Sequence, residues 1–262
     1  MAPISVYLHI PFCRHRCSYC DFNTYAGLES LMPNYVQALC NEVRQFASGS
    51  SDKQTVHTVF FGGGTPSLLP VDAFEQIFAT LEDCFTILPG SEISLEANPG
   101  TVDLDYLRGL RSLGFNRISM GMQSAQPDEL RFLERIHDYF DVTQAVRWAR
   151  QAGFDNLSLD LIFGLPNQTL ETWQENVNLA LGMAPDHLSM YGLTVEHGTP
   201  LYHWVERGLV AEPDPDQAAD MYEWAGDRMA GAGFEQYEIS NWTGANAAGE
   251  ARTCRHNLQY WR

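Results

Sequence analysis

A chain of 262 residues with 45% hydrophobic content can bury one large core or two modest ones, and one sizeable domain is the expectation. Its 16 Lys and Arg against 33 Asp and Glu give a net charge of −17, which repels phosphate backbones and anionic lipid surfaces at long range and disfavours nucleic acid as a partner. The 6 cysteines are too sparse for a secreted disulfide scaffold, MAPISVYLHI has none of the parts of a signal peptide, and no stretch approaches ~18 unbroken apolar residues, so a cytoplasmic protein that does not span a membrane is expected.

The first element is ISVYLHI, residues 4–10, an apolar run that reads as a buried strand. Directly behind it comes CRHRCSYCDF, residues 13–22, with three cysteines in eight positions. From there helix-like and strand-like segments alternate. Residues 31–47 carry apolar positions at helical spacing, 55–61 (TVHTVFF) read as a strand, 71–85 as a helix, and 92–98 (EISLEAN) as a strand. A helix over 103–114 precedes the strand RISMGMQ at 117–123, and helices over 127–136 and 141–153 precede the strand NLSLDLIF at 156–163. The last repeat is a helix over 169–183 and a strand over 187–195. Asp103 and Thr169 stand at N-cap positions and Gly114 and Gly153 at C-caps. Cys40 and Cys84, isolated in helix-like segments, read as ordinary core cysteines.

Repeated strand–helix units imply an α/β fold with a parallel sheet, and six units fall short of the eight that close a full barrel. A partial (β/α)6 TIM-like barrel, open on one side, is the expected architecture. The rhythm changes near residue 200. A helix around 216–233, a strand-like EQYEIS and a polar stretch at 243–251 follow, so residues 1–200 are expected to form the barrel and 201–262 the start of an appended C-terminal region.

Thiolates at Cys13, Cys17 and Cys20 can converge on three corners of an iron–sulfur cubane from one loop, leaving the fourth iron open to chelate a molecule with adjacent amino and carboxylate groups. The alternatives are a zinc site completed by His9 or His15, or thiols without a metal. The second strand ends in VFFGGGTPS. Gly62, Gly63 and Gly64 remove every Cβ at the C-terminal end of a parallel strand, where ligands bind in such folds, although a tight strand-to-helix turn accounts for a lone glycine run equally well. Together the two motifs are a much stronger signal than either alone.

With its Cys-x3-Cys-x2-Cys loop and glycine-rich second strand, in that order, the chain resembles the radical S-adenosylmethionine (SAM) superfamily. The resemblance implies a [4Fe-4S] cluster whose open iron binds SAM, and whose reduction cleaves SAM to methionine and a 5′-deoxyadenosyl radical. Tyr19, between the second and third cysteines, is placed to lie against the adenine. YLHIPFC, SLEANP, GFNRISMGMQSAQPDELRFLERIHD and LSLDLIFGLPNQT further resemble the oxygen-independent coproporphyrinogen III oxidase family over residues 4–200. By that resemblance Tyr7, Gly63, Gly64, Thr65 and Glu96 surround the cluster-bound SAM, and Gln123, Arg135, Asp160 and Thr194 line the adjoining pocket, where the oxidase holds a second SAM. Carboxylates on apolar strands, Glu96 and Asp160, favour a site role over a packing role. An exposed helix position explains Arg135 equally well, and Gln123 rests mostly on the family match.

Two departures separate the chain from the oxidase. Phe22 replaces the fourth cysteine of a Cys-x3-Cys-x2-Cys-x-Cys motif, and 3 residues stand where the oxidase carries a long segment ahead of the first strand. Both match the HemW subfamily of heme chaperones. RHNLQYW, residues 255–261, carries its His-Asn-x-x-Tyr-Trp pattern, so the resemblance implies His256 as a ligand to heme iron with Tyr260 and Trp261 packed on the porphyrin, and Cys254 as a lower-ranked ligand. An aromatic strand with an incidental histidine is the alternative. Relatives continue past this motif into a further C-terminal domain, so the chain reads as truncated. The expected function is to bind a [4Fe-4S] cluster, SAM and heme and to hand heme to acceptor hemoproteins, with transient contact to membrane hemoproteins and no nucleic acid. The rivals are oxidative decarboxylation of coproporphyrinogen III and radical SAM modification of RNA, the latter disfavoured by the charge balance.

Overall fold

The apolar runs pair in the order in which they occur along the chain. The computed structural model describes residues 2–49, 52–246 and 248–261. Six strands, β1 (Ile4–Ile10), β2 (Thr55–Gly63), β3 (Thr86–Ala97), β4 (Arg117–Gln123), β5 (Leu157–Phe163) and β6 (His187–Gly192), lie side by side and parallel. Two short antiparallel strands, β7 (Glu235–Glu238) and β8 (Asn241–Thr243), extend the far edge in the order β1-β2-β3-β4-β5-β6-β8-β7. Among the described residues β1 pairs only with β2, so the parallel run is an open arc, as six units predict.

The helices between these strands are α1 (Met32–Ala47), α2 (Val71–Cys84), α3 (Leu104–Ser112), α4 (Pro127–Phe132), α5 (Tyr139–Gln151) and α6 (Leu170–Gly182). They start and stop where their caps dictate. Asp103 accepts the N–H of Tyr106 at 2.8 Å and Thr169 that of Thr172 at 3.2 Å, while Gly114 and Gly153 end their helices with φ of 98° and 91°, a region that costs other residues strain. Between sheet and helices the rings of Phe61, Phe74 and Phe115 meet edge-on or tilted at 5.2–5.3 Å and anchor one apolar core.

The structure departs from the sequence reading in three places. β3 begins six residues before the expected 92, because Leu88–Ser91, around a proline that cannot donate, loops out between two paired stretches. After β6, a short helix α7 (Pro200–Glu206) precedes the expected long helix α8 (Pro215–Gly231). Asn241–Thr243, running from the strand-like EQYEIS into the polar stretch and given no element in the sequence reading, forms β8, whose Trp242 is 1% exposed and joins the same core as Met221, Ala225 and Met229 of α8. α8 and β8 therefore share packing with the barrel.

Candidate functional site

A cavity of about 370 Å³ lies at the C-terminal ends of the parallel strands, where this architecture places its ligands. Cys13, Cys17 and Cys20 all line it. So do Gly63, Gly64 and Thr65 from the end of β2, Glu96 from β3, and Asp160 from β5. Tyr19, Gln123, Arg135 and Thr194 complete the set that the sequence placed together. Tyr7 alone stands apart. It lines an adjoining cavity deeper in the arc, and its hydroxyl meets His9 Nδ1 at 3.0 Å.

The cysteine loop is seated on the glycine turn. Gly64 N–H donates to Ile10 O at 2.8 Å and Thr65 N–H to Phe12 O at 2.7 Å. A Cβ on Gly64 would stand 2.7 Å from Phe12 O and 3.0 Å from Cys13 Sγ, so glycine is required for close approach, which is more than a tight turn asks. Thr65 Oγ1 donates to Cys13 Sγ at 3.7 Å and Arg135 Nη1 to Cys17 Sγ at 3.4 Å. Donors and a cation aimed at sulfur suit thiolates that ligate a metal, and the Thr65 hydroxyl opposes the burial that pushes the Cys13 thiol up. The histidines of the zinc alternative turn elsewhere, His9 to Tyr7 and Asn23 O, His15 to Glu134 at 3.3 Å.

Arg135 sits in the turn between α4 and α5, not on a helix surface, and also donates to Gly121 O at 3.1 Å. Gln123 ends β4 with φ of 65°, a left-handed conformation uncommon outside glycine and frequent at functional sites. Its Oε1 and Arg135 Nε are buried without a hydrogen-bond partner among the described residues. Orphaned polar atoms on the wall of a cavity that also holds three thiols fit a polar ligand bound beside a cluster. Tyr19, expected against an adenine, packs its ring on Leu133, Ile162 and Leu165 at the cavity wall.

Burial pushes Glu96 up to about 7, with Asp160 adding to the shift and the Gly63 N–H, 3.0 Å from Oε2, opposing it. Burial likewise raises Asp160, against hydrogen bonds from Ser119 and Ser158. Arg117, at the start of β4, was not singled out from sequence and is 2% exposed. Burial works against its charge, and Cys254, Glu92, Tyr237 and Asp160 more than restore it, so its pKa lies above the ordinary range. An arginine opening an apolar strand was the available signal.

The RHNLQYW segment runs inside the arc near the N-terminal ends of the strands, as a turn followed by a 3-10 helix at Asn257–Trp261, and not as an aromatic strand. His256 is 3% exposed, stacks on Phe60 at 5.0 Å and shares a 3.0 Å hydrogen bond between Nδ1 and Thr58 Oγ1. Burial lowers its pKa, and Nε2 has no partner among the described residues. With Tyr260 it lines the deeper cavity, whereas Trp261 is 60% exposed. Cys254 is fully buried, its thiol donating to Glu92 Oε1 at 3.7 Å, and burial raises its pKa to about 11, which suits a structural thiol.

Known proteins resemble this chain in sequence and in fold. The sequence model of the radical SAM superfamily matches residues 7–180. The chain is 41% identical to the heme chaperone HemW of Synechocystis and 38% identical to that of Escherichia coli, covering 100% of its own length in both cases and 63% and 67% of theirs. It thus spans about two thirds of the length of the curated relatives it matches. Among solved structures, coproporphyrinogen III oxidase (HemN) of Escherichia coli superposes with a TM-score of 0.84 at 28% identity, over 92% of this chain and 56% of the other. The methyltransferase TsrM of Kitasatospora setae, at 15% identity and a TM-score of 0.59, shares the fold, over 80% of this chain and 41% of its own.

Proposed function

We propose, for a chain that belongs to the radical SAM superfamily and within it to the HemW family, that it binds heme and passes it to acceptor hemoproteins. Membership of the superfamily implies a [4Fe-4S] cluster and SAM. Cys13, Cys17 and Cys20 are the residues to hold the cluster, which when bound supplies an electron to SAM. Gly63, Gly64, Thr65, Glu96, Gln123, Arg135, Asp160 and Thr194 surround the SAM space, with Tyr19 at its wall and Tyr7 behind Glu96. Arg135 and Thr65 orient two of the thiolates, and Glu96 and Asp160 offer carboxylates to a cationic ligand.

His256 is the heme-iron ligand in this reading, with Tyr260 and Trp261 as contacts for the porphyrin. The observation that carries it is the state of that imidazole: neutral by burial, anchored through one nitrogen and without a partner among the described residues at the other. Acceptors in the cytoplasm or at the membrane surface are consistent with it, and no described helix is long and apolar enough to cross a membrane. Anaerobic reconstitution followed by heme titration tests the proposal on the parent, His256→Ala and Cys17→Ser. The cysteine change is expected to abolish the cluster and leave heme affinity, and the histidine change to do the reverse. Variants that both behave like the parent would overturn the assignments.

The likeness to the oxidase structure favours one second reading, decarboxylation of coproporphyrinogen III. Phe22, where the oxidase motif has a cysteine, lies 64% exposed on the cavity lining and cannot supply a thiol. Anaerobic incubation with SAM, reductant and coproporphyrinogen decides it, since an appreciable yield of protoporphyrinogen restores the enzyme.

A further inference from the structure

The deeper cavity has a volume of about 230 Å³ and shares Glu96, Ser119, Asp160 and Tyr191 with the main one. None of the roles given above uses its most strongly charged group. Arg117 is 2% exposed, lines the cavity and keeps its Nε without a partner among the described residues. The carboxylates nearest in charge are engaged by other donors. Glu92 accepts the N–H groups of Arg255 and His256 at 2.9 and 3.0 Å, and Asp160 accepts the hydroxyl of Ser119 at 2.9 Å. Glu96, which with Asp160 is one of the two carboxylates lining this cavity, accepts the Gly63 N–H. A buried guanidinium that keeps a free donor beside a cavity is stabilised by an acceptor entering from outside, and a carboxylate matches its planar fork best.

Size and rim narrow the ligand. The volume falls below the ~300–1,000 Å³ of pockets that enclose whole drug-sized molecules, so a larger ligand is only partly enclosed here. The same cavity is lined by Tyr7, Tyr191 and Tyr260, which are 45%, 43% and 73% exposed and offer aromatic surface to a flat apolar body. We propose that this cavity is an anion subsite that receives a carboxylate-bearing side arm of the tetrapyrrole, with Arg117 as its charged partner. The inference rests on the heme reading above and goes beyond it by naming the protein group that meets a side arm of the ligand.

The test is a heme titration of the reconstituted full chain, followed by the absorbance of the porphyrin, with iron protoporphyrin and with its dimethyl ester. The parent is expected to bind the ester about 10- to 100-fold more weakly, the range for one hydrogen bond to a charged group. Arg117→Gln is expected to weaken heme by the same factor, leave the ester unchanged and erase the preference. Equal binding of the two porphyrins by the parent would overturn the inference while leaving the heme reading in place. Binding of neither would remove both. Where Arg117→Gln does not fold, the two titrations of the parent decide alone.

Discussion

Glu92 and His256, 164 positions apart, are joined by a 3.0 Å hydrogen bond from the main-chain N–H of His256 to Glu92 Oε1. The same carboxylate accepts the N–H of Arg255 at 2.9 Å, so one side chain of β3 moors the segment that carries the imidazole. Glu92→Ala leaves these donors and the buried Arg117 without that acceptor and its charge. Hydrogen bonds to charged groups contribute roughly 1.5–3 kcal/mol each, so a loss of about 3 kcal/mol in urea unfolding is expected, with early proteolysis near residue 254. A variant as stable as the parent would deny Glu92 this role.

The Arg135 contact with Cys17 makes a prediction about the cluster's potential. Removing a cation that hydrogen-bonds a ligating sulfur disfavours the more negative, reduced state. Arg135→Met is therefore expected to keep a cluster that reduces at a more negative potential, read by potentiometric electron paramagnetic resonance. Cys17→Ser is expected to lose it. An unchanged potential in Arg135→Met would detach the arginine from the sulfur.

Gly64→Ala places a methyl group 2.7 Å from a main-chain carbonyl that has no room to yield. Overpacking of this kind costs about 1–3 kcal/mol, and here the strain falls on Phe12 and Cys13, where the cysteine loop begins. The expected result is a lower melting temperature together with reduced iron incorporation. Full iron content in the variant would show the turn to be tolerant.

Glu96 carries a pH signature. Its folded pKa of about 7 lies above the ordinary 4.5, so the folded state favours the protonated form. That preference is intact below pH 4.5 and is lost as pH rises through about 7, at an order-of-magnitude cost of about 3 kcal/mol. Relative to Glu96→Gln, the ligand-free parent should lose stability across this window. Parallel stability profiles for parent and variant would contradict a buried, raised carboxylate.

Much of the arc could be read directly because its determinants are local. RISMGMQ coincides with β4, and Asp103 and Thr169 cap the helices they were expected to cap, since backbone geometry and side-chain reach settle these within a few residues. The cysteine spacing and the glycine run are likewise short-range patterns, and the cavity brings together the thiols and all the expected SAM residues except Tyr7. β8 was not legible. Its three residues are held by pairing on both sides and by the burial of Trp242, neither of which leaves a periodic trace.

What the amino-acid order decided alone is the six parallel strands, several helix caps and a loop of three thiols beside a glycine turn, because each depends on neighbours a few bonds away. Tertiary structure decided the rest. Only the folded arc brings Glu92 to His256, Arg117 to the wall of a cavity and Arg135 to Cys17, since electrostatics and desolvation act through space and carry no signature in the spacing of letters.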